Sequence, residues 1–264
     1  MSEYANILVE AETELATITL DRPAQLNPLD WQTVAELKAA VAEIEAQPAI
    51  RLVIVTGAGR AFSAGGDLKG YLDLYQEPDE FRDFLEDFFE LLRAIEDSAK
   101  VYIAAINGVT VAGGLELLLA CDQVIAAEGA RIGDGHLNFA QLPGAGGSQR
   151  LPRAIGSSRA KALIFSGELL SAAEAERIGL VNRVVPDDAL MAEARALAER
   201  LLAHSPTALR GAKHLVNEGL KGALAAGLAL EMDYVHNYAT TEPDAMEGLR
   251  AFDERRKPNY KRGG

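Results

Sequence analysis

Cysteine is almost absent from this 264-residue sequence, which contains only Cys121. One thiol cannot form an internal disulfide, and it cannot supply a cysteine-rich metal site. No apolar run approaches the roughly 20 residues that a membrane-spanning helix needs. The first ten residues have neither the basic start nor the apolar core of a secretory signal. We therefore expect a cytoplasmic protein with no disulfide framework, no metal site and no membrane partner.

Positive charge is also scarce, because 26 Lys and Arg residues are opposed by 39 Asp and Glu residues, giving a net charge of −13. A nucleic-acid-binding protein carries a basic face that displaces counterions, and the only dense basic cluster here lies in residues 255–262. We expect no nucleic-acid partner. An anionic ligand would have to be held by a few local positive groups and backbone N–H donors, since the overall field opposes it.

The hydrophobic and charged fractions, 48% and 25%, are those of an ordinary globular protein. Alternation and apolar runs predict strands at residues 7–10, 15–20, 51–56, 101–106 and 123–127. Helical spacing predicts helices at residues 31–44, 80–95 and 113–121, with Asp30 as the N-cap of the first, and continues almost without interruption after residue 157. This order predicts an α/β core followed by a helical C-terminal extension.

Two buried strands each lead into a glycine-rich turn that opens a helix, at residues 57–70 and 107–116. Glycine lets the backbone approach a ligand closely, and a helix start offers unpaired N–H groups at the positive end of its dipole. Two such donors aimed at one oxygen would form an oxyanion hole. Each turn alone is equally consistent with an ordinary tight turn. A dinucleotide fingerprint is disfavoured, because Gly57 and Gly59 lack a third glycine at the required spacing.

Further motifs occur in order along nearly the whole chain. They lie in Asp21–Asn27, Gly59–Leu68, Ala105–Asp122, Leu142–Pro152, Ala173–Val181 and Glu247–Pro258. Together they resemble the enoyl-CoA hydratase/isomerase (crotonase) superfamily. The resemblance implies a crotonase-like ββα spiral core in residues 1–200 and a helical trimerisation region in residues 201–264. It also implies a homotrimer or dimer of trimers that acts on a coenzyme A thioester, with no cofactor beyond the coenzyme A of the substrate.

The resemblance further implies which residues contact the thioester. The backbone N–H groups of Ala64 and Gly113 are the expected oxyanion donors, which hold the thioester oxygen as it becomes an enolate. The other expected substrate-binding residues are Arg22, Gln25, Leu26, Ala61, Gly65, Gly66, Asp67, Leu68, Lys69, Gly114 and Lys257, the last from a neighbouring subunit. For Arg22, Lys69 and Lys257, contact with the coenzyme A phosphates and a solvated surface charge are equally good interpretations.

Glu116 and His136 are the expected catalytic residues. Hydratases of this family use two glutamates on opposite sides of a bound water, and Glu116 matches the first. A glutamate among leucines is costly to bury without a purpose. Counting back from Pro143, the second position is His136, and the nearest carboxylate is Asp134. Histidine can donate or accept a proton near neutral pH. Whether His136, Asp134 or water alone serves as the second acid/base stays open.

These residues favour addition of water to a 2-enoyl-CoA, as in fatty acid metabolism. Alternatives are a hydrolase or lyase that cleaves a carbon–carbon bond of an open-chain or cyclic β-keto acyl-CoA, then a double-bond isomerase, and finally a non-catalytic acyl-CoA-binding protein. His204, His214 and His236 are expected to be surface or packing residues. The apolar face of 71–89, with Leu72, is expected to pack on the core, the alternative being that it lines an acyl pocket.

Overall fold

The computed structural model describes residues 2–260. Met1 and residues 261–264, which include the end of the predicted trimerisation region and Lys261 and Arg262 of the basic cluster, lie outside the described residues. The strands of the described part are β1 (Ile7–Ala11), β2 (Leu15–Leu20), β3 (Leu52–Gly57), β4 (Ala61–Ser63), β5 (Val101–Ile106), β6 (Val109–Val111), β7 (Gln123–Ala127), β8 (Arg131–Gly133), β9 (Leu170–Ser171) and β10 (Arg183–Val185).

Helices occupy most of the remaining chain. They are α1 (Trp31–Glu45), α2 (Gly70–Leu74), α3 (Pro78–Asp97), α4 (Gly113–Ala120), α5 (Gly147–Ile155), α6 (Ser157–Ser166), α7 (Ala172–Arg177), α8 (Leu190–Leu202), α9 (Pro206–Gly219), α10 (Leu224–Thr241) and α11 (Pro243–Asp253). Short 3₁₀ helices cover Pro23–Gln25, His136–Phe139 and Asp187–Ala189.

The strands form two sheets that the chain visits alternately. The larger sheet has the order β1-β2-β3-β5-β7-β10, and the smaller sheet has the order β4-β6-β8-β9. A strand of the large sheet is followed by one of the small sheet and then by helix three times in succession, beginning at β3, β5 and β7. This succession is the predicted ββα spiral, and it confirms the fold class.

The central strands β2, β3, β5 and β7 of the large sheet are buried on both faces, as their continuous apolar sequences require. Val53 and Val55 of β3 belong to the main core, which also takes in the apolar sides of α1 and α3. Leu52 and Ile54 point the other way and pack with Leu190 and its neighbours on α8. Helix α8 therefore covers one face of the sheet, and it runs across the proposed division at residues 200 and 201, which stays a prediction.

The longer elements lie where the periodicity places them. The Asp30 side chain accepts a hydrogen bond from the Thr33 N–H at 2.9 Å and so caps α1 as predicted. Predicted strands 15–20, 101–106 and 123–127 are confirmed as β2, β5 and β7. The helical last third is interrupted by β9 and β10, which contain too few residues to show a strand period.

Candidate active site

Three turns of the spiral meet at one edge of the small sheet. Strands β4, β6 and β8 are parallel neighbours, and their carboxyl ends lead into residues 64–67, 112–116 and 134–136. Because the carboxyl ends of adjacent parallel strands lie side by side, these turns are brought together although they are far apart in sequence. The fold thus joins both glycine-rich turns to the segment that contains His136.

The two glycine-rich turns pack against each other without space for a side chain. Gly65 has φ +88°, and a β-carbon there would lie 2.8 Å from the Ala112 Cβ and 3.2 Å from the Gly113 nitrogen. A β-carbon on Gly114 would lie 2.6 Å from the Ser63 carbonyl oxygen. Glycine is therefore required for close approach at both positions. The turns form one continuous backbone surface.

The backbone N–H groups of Gly66 and Gly113 lie on this surface, and neither has an acceptor among residues 2–260. Gly113 is the first residue of α4, whose N–H has no partner within the helix. The N–H of Ala64 donates to the Leu26 carbonyl oxygen at 2.9 Å. The prediction that Ala64 provides a free donor is therefore wrong, because this N–H holds the turn to the segment before α1.

The residue before α4 has an unusual backbone. Ala112 has φ 53° and ψ −117°, a conformation that costs a non-glycine residue free energy. Its N–H donates to the Asp134 carbonyl oxygen at 2.9 Å, which holds the strained residue in place. The same bond ties the start of α4 to the segment after β8.

Glu116 lies in the first turn of α4 and is 2% exposed. Its Oε1 accepts hydrogen bonds from the N–H groups of Ala145 and Gly147, both at 2.8 Å. Burial raises the pKa of the Glu116 carboxyl above its ordinary value, and the Gly147 N–H, His136 and the Ala145 N–H oppose that rise. The fixed Oε1 leaves Oε2 to face the site.

His136 faces Glu116 from the segment after β8. Its Nε2 lies 4.0 Å from the Glu116 Oε2, and its Nδ1 lies 3.1 Å from the Asp134 Oδ1. The Asp134 side chain is 0% exposed, and its Oδ2 is buried without a hydrogen-bond partner in the described chain. Asp134 therefore orients the imidazole, and Nε2 is the nitrogen directed at Glu116. The fold thus brings Glu116 and His136 together, and their catalytic role stays a prediction.

A pocket of about 420 Å³ opens onto these groups. Glu116, His136, Gly66 and Gly113 lie in its wall, and much of the remaining wall is aromatic, from Tyr71, Tyr75, Phe81, Phe84 and Phe88. Leu72 is 72% exposed and turned away from both pocket and core. The expectation that the 71–89 face only packs on the core is therefore corrected, since Phe84 and Phe88 do both.

The other predicted binding residues differ in how close they lie to the pocket. Gly66 and Leu68 line the pocket, whereas Gly65 and Gly114 are buried directly behind its wall. Gln25 and Leu26 lie in and after the 3₁₀ helix at residues 23–25, and Asp67 accepts from the Lys69 N–H at 3.1 Å. Lys69 and Lys257 are exposed, and Arg22 forms an ion pair with Asp30.

Ala61 is a correction within this set. It is 0% exposed in β4, and its carbonyl oxygen accepts from the Asn27 side chain at 2.8 Å and from the Asn107 side chain at 3.1 Å. Its side chain cannot touch a ligand in the pocket, because it is enclosed by the fold. Ala61 instead helps to fix the path of the chain into the first glycine-rich turn.

The other three histidines lie away from the site. His204, His214 and His236 do not line the pocket, and His214 lies beside Tyr234 with ring centroids 5.3 Å apart. Within residues 2–260, no group of three or more His, Cys, Asp or Glu side chains is placed to hold a metal ion. No helix in the same range is long and apolar enough to cross a membrane.

The chain is similar to known proteins over nearly its whole length. A family model described as enoyl-CoA hydratase/isomerase matches residues 10–263. A probable enoyl-CoA hydratase of Mycobacterium tuberculosis is 43% identical over 258 residues, covering 97% of this chain and 98% of the relative. The crotonyl-CoA hydratase of Syntrophomonas wolfei is 38% identical over 259 residues, covering 97% and 98%. The crystal structure of an enoyl-CoA hydratase from Bacillus anthracis superposes with a TM-score of 0.91 at 40% identity, covering 97% of this chain and 99% of that one.

Proposed function

Because the chain belongs to the enoyl-CoA hydratase/isomerase family, we propose that it adds water across the double bond of a 2-enoyl-CoA thioester. The observation that carries this proposal is the placement of Glu116 and His136, 4.0 Å apart, in one pocket with the free N–H groups of Gly66 and Gly113. Coenzyme A belongs to the substrate, and the proposed reaction needs no further cofactor.

The N–H groups of Gly66 and Gly113 bind the thioester oxygen in this proposal. Attack at C3 of the enoyl group moves negative charge onto that oxygen, and two fixed donors stabilise the charge as it develops. One such donor contributes about 3 kcal/mol in well-studied enzymes. Gly66 replaces Ala64 as the first donor, because the Ala64 N–H is already bonded to the Leu26 carbonyl oxygen, whereas the Gly66 N–H is free and Gly66 lines the pocket.

Glu116 and His136 transfer the protons in this proposal. The Glu116 Oε2 accepts a proton from water as the water oxygen bonds to C3, and the C2–C3 electron pair moves toward the thioester oxygen. The protonated Nε2 of His136 then donates its proton to C2 as the enolate collapses. One water is consumed, and both its hydrogens are accounted for once the proton on Glu116 passes back to His136. Because Nε2 and Oε2 lie 4.0 Å apart, this return passes through one water molecule between them.

Hydration of short 2-enoyl-CoA substrates tests this reaction. The conjugated thioester absorbs in the ultraviolet, and its absorbance falls as water adds to the double bond. We expect turnover with a four-carbon enoyl-CoA or a longer one. Absence of turnover with every acyl chain length, from an enzyme that still binds acyl-CoA, would reject the hydratase assignment.

A second candidate is a hydrolase or lyase that cleaves a carbon–carbon bond of a β-keto acyl-CoA. The contact of 3.1 Å between the His136 Nδ1 and the buried Asp134 favours it, since a carboxylate in this position orients an imidazole as a general base for water. A β-keto acyl-CoA, open-chain or cyclic, distinguishes the two reactions. Its cleavage without hydration of any enoyl-CoA would select this candidate.

We also propose that the protein works in the cytoplasm, in fatty acid metabolism, as a homotrimer or a dimer of trimers. In support of the assembly, the segment from α9 to α11 exposes apolar side chains at Val216, Leu220, Leu224, Leu228, Met232, Val235, Leu249 and Phe252. Large exposed apolar surfaces usually mark interfaces. Sedimentation equilibrium tests the proposal, and a monomer at micromolar concentration would contradict it. Contacts of Arg22, Lys69 and a neighbouring subunit's Lys257 with the coenzyme A phosphates are proposed with it.

A further inference from the structure

Tyr71 is held rigidly at the wall of the pocket. Its ring stacks on Tyr75 with centroids 5.4 Å apart and planes 11° apart, and it meets Phe84 edge-on at 5.9 Å. Phe81 packs against it at 6.3 Å. Aromatic contacts of this kind fix a ring in one orientation. The direction of the Tyr71 hydroxyl is therefore set by its neighbours.

That hydroxyl points at Gly66. A β-carbon on Gly66 would lie 2.1 Å from the Tyr71 hydroxyl oxygen. Gly66 does not have positive φ, so this residue is glycine because the hydroxyl occupies the space of a side chain. Since a β-carbon lies ~2.5 Å from its own backbone nitrogen, the hydroxyl oxygen lies within about 4.6 Å of the Gly66 nitrogen.

The hydroxyl has no hydrogen-bond partner within the described residues, although Tyr71 lines the pocket beside Glu116. A phenol at the pocket wall without a protein partner can donate its hydrogen bond to a ligand oxygen. Burial raises the pKa of Tyr71, and Tyr75, Glu116 and Asp67 raise it further. The phenol therefore stays protonated at working pH and is available as a donor.

We propose that the Tyr71 hydroxyl is a third hydrogen-bond donor to the thioester oxygen, beside the N–H groups of Gly66 and Gly113. This inference rests on the proposed function, because it takes a coenzyme A thioester as the ligand. A thioester oxygen that accepts from both groups would lie about 2.9 Å from the Tyr71 hydroxyl and about 2.9 Å from the Gly66 nitrogen. Such an oxygen fits between two donors separated by up to about 4.6 Å. Tyr71 thus adds a side-chain donor to the two backbone donors.

The carbonyl stretching frequency of a bound thioester tests the contact directly. Butyryl-CoA labelled with ¹³C at the carbonyl is saturated, so it binds without being hydrated. Hydrogen bonds lower its stretching frequency, and in Tyr71→Phe we expect the frequency to move back toward that of free butyryl-CoA. We also expect kcat for hydration to fall about 10-fold or more, with a smaller change in KM. Tyr102→Phe, which alters a buried tyrosine of β5 outside the pocket, controls for loss of a phenol.

The outcomes separate this inference from the proposed function. An unchanged frequency in Tyr71→Phe rejects the contact even if the wild type hydrates enoyl-CoA. A lowered frequency in the wild type that depends on Tyr71, without hydration of any enoyl-CoA, supports the contact and rejects the reaction. Failure of the wild type to bind butyryl-CoA rejects both.

A second pair of variants tests the packing of Tyr71 on Gly66. Gly66→Ala places a methyl group on the hydroxyl, and we expect its activity to fall at least 10-fold. Adding Tyr71→Ala removes the obstruction, so the double variant should lose less than the product of the two single losses. Losses that multiply independently would contradict the close contact.

Discussion

Glu116 turns one carboxylate oxygen to the backbone and the other to His136. Its Oε1 is fixed by two N–H groups, while its Oε2 lies 4.0 Å from the His136 Nε2. That separation is too long for a direct hydrogen bond, so the gap between the two groups is open to a reacting atom or a water molecule. A rigid base and an oriented imidazole on either side of a gap are the arrangement that addition of water requires.

Replacing His136 tests its part in the reaction. We expect His136→Ala to lower kcat/KM for enoyl-CoA hydration by about 10²–10⁴-fold, because one of two proton-transfer groups is lost. His136→Glu should recover part of the activity with an altered pH–rate profile, since a carboxylic acid can also deliver the proton. Full activity of His136→Ala at every pH would exclude His136 from catalysis.

Replacing Asp134 tests whether it orients His136. We expect Asp134→Asn to lower kcat about 10-fold or more while KM changes little, because the imidazole loses the carboxylate that fixes its Nδ1. In a His136→Ala background, Asp134→Asn should have almost no further effect. An equal loss in both backgrounds would show that Asp134 acts independently of His136.

We expect Glu116→Gln to lower activity and to raise stability. Loss of the base lowers kcat by about 100-fold or more. The pKa of Glu116 is raised in the folded protein, so ionisation destabilises the fold as pH rises above the ordinary glutamate value of about 4.3. We therefore expect Glu116→Gln to have the higher free energy of unfolding at pH 8, and the gain to vanish below about pH 4. Urea unfolding at both pH values measures it, and a variant less stable than the wild type at pH 8 would contradict it.

Lys213 ties α9 to the sheet, and its removal should cost stability. Its Nζ donates to the carbonyl oxygens of Ile95 and Lys100 and to the Asp122 Oδ2, at 2.8, 2.9 and 2.9 Å. Lys213→Met leaves the Asp122 carboxylate, only 18% exposed, without its cation, and we expect a loss of about 3 kcal/mol. Burial already raises the pKa of Asp122, so the deficit should shrink at acid pH as Asp122 protonates.

Lys221→Met is the matched control for Lys213, since Lys221 is 57% exposed and pairs with Glu218 on the surface. We expect it to change the free energy of unfolding by less than about 0.5 kcal/mol. Equal effects of the two substitutions would show that the buried position of Lys213 is unimportant.

Two glycines with similar positive φ angles allow the effect of backbone strain to be measured apart from the effect of close approach. Gly65 and Gly156 have φ of +88° and +81°, yet a β-carbon on Gly156 meets nothing within 4 Å. Gly156→Ala should cost about 1 kcal/mol of stability and leave activity unchanged. Gly65→Ala should in addition abolish hydration, because the methyl group would push apart the turns that carry the two free N–H groups. Retained activity in Gly65→Ala would contradict that packing.

Periodicity predicted the long elements, whereas the glycine-rich turns and the family resemblance indicated where the site lies. Strand β3 reads as buried on both faces because every side chain in it is apolar or small, and α1 is predictable from its N-cap and its apolar spacing. Glu116 was identifiable because an isolated carboxylate among leucines needs a purpose. Histidine at 136 was recognisable only by counting back from Pro143.

The donor at the first turn could not be predicted from sequence. Ala64 and Gly66 lie on the same short turn, and only the hydrogen bond from Ala64 to Leu26 shows which N–H is occupied. The contact of Tyr71 with Gly66 likewise depends on how α2 folds back over the turn. The hydrogen bond of Ala64 and the contact of Tyr71 each depend on how separate segments pack together. The local sequence is compatible with these contacts being present or absent, so residue spacing alone does not predict them.

The three successive units of the spiral each supply a different part of the site. The first carries the N–H group of Gly66, the second carries the N–H group of Gly113 together with Glu116, and the third brings His136 after β8. No single unit therefore contains a working site. Activity should be lost and regained together with the folding of all three units, rather than unit by unit.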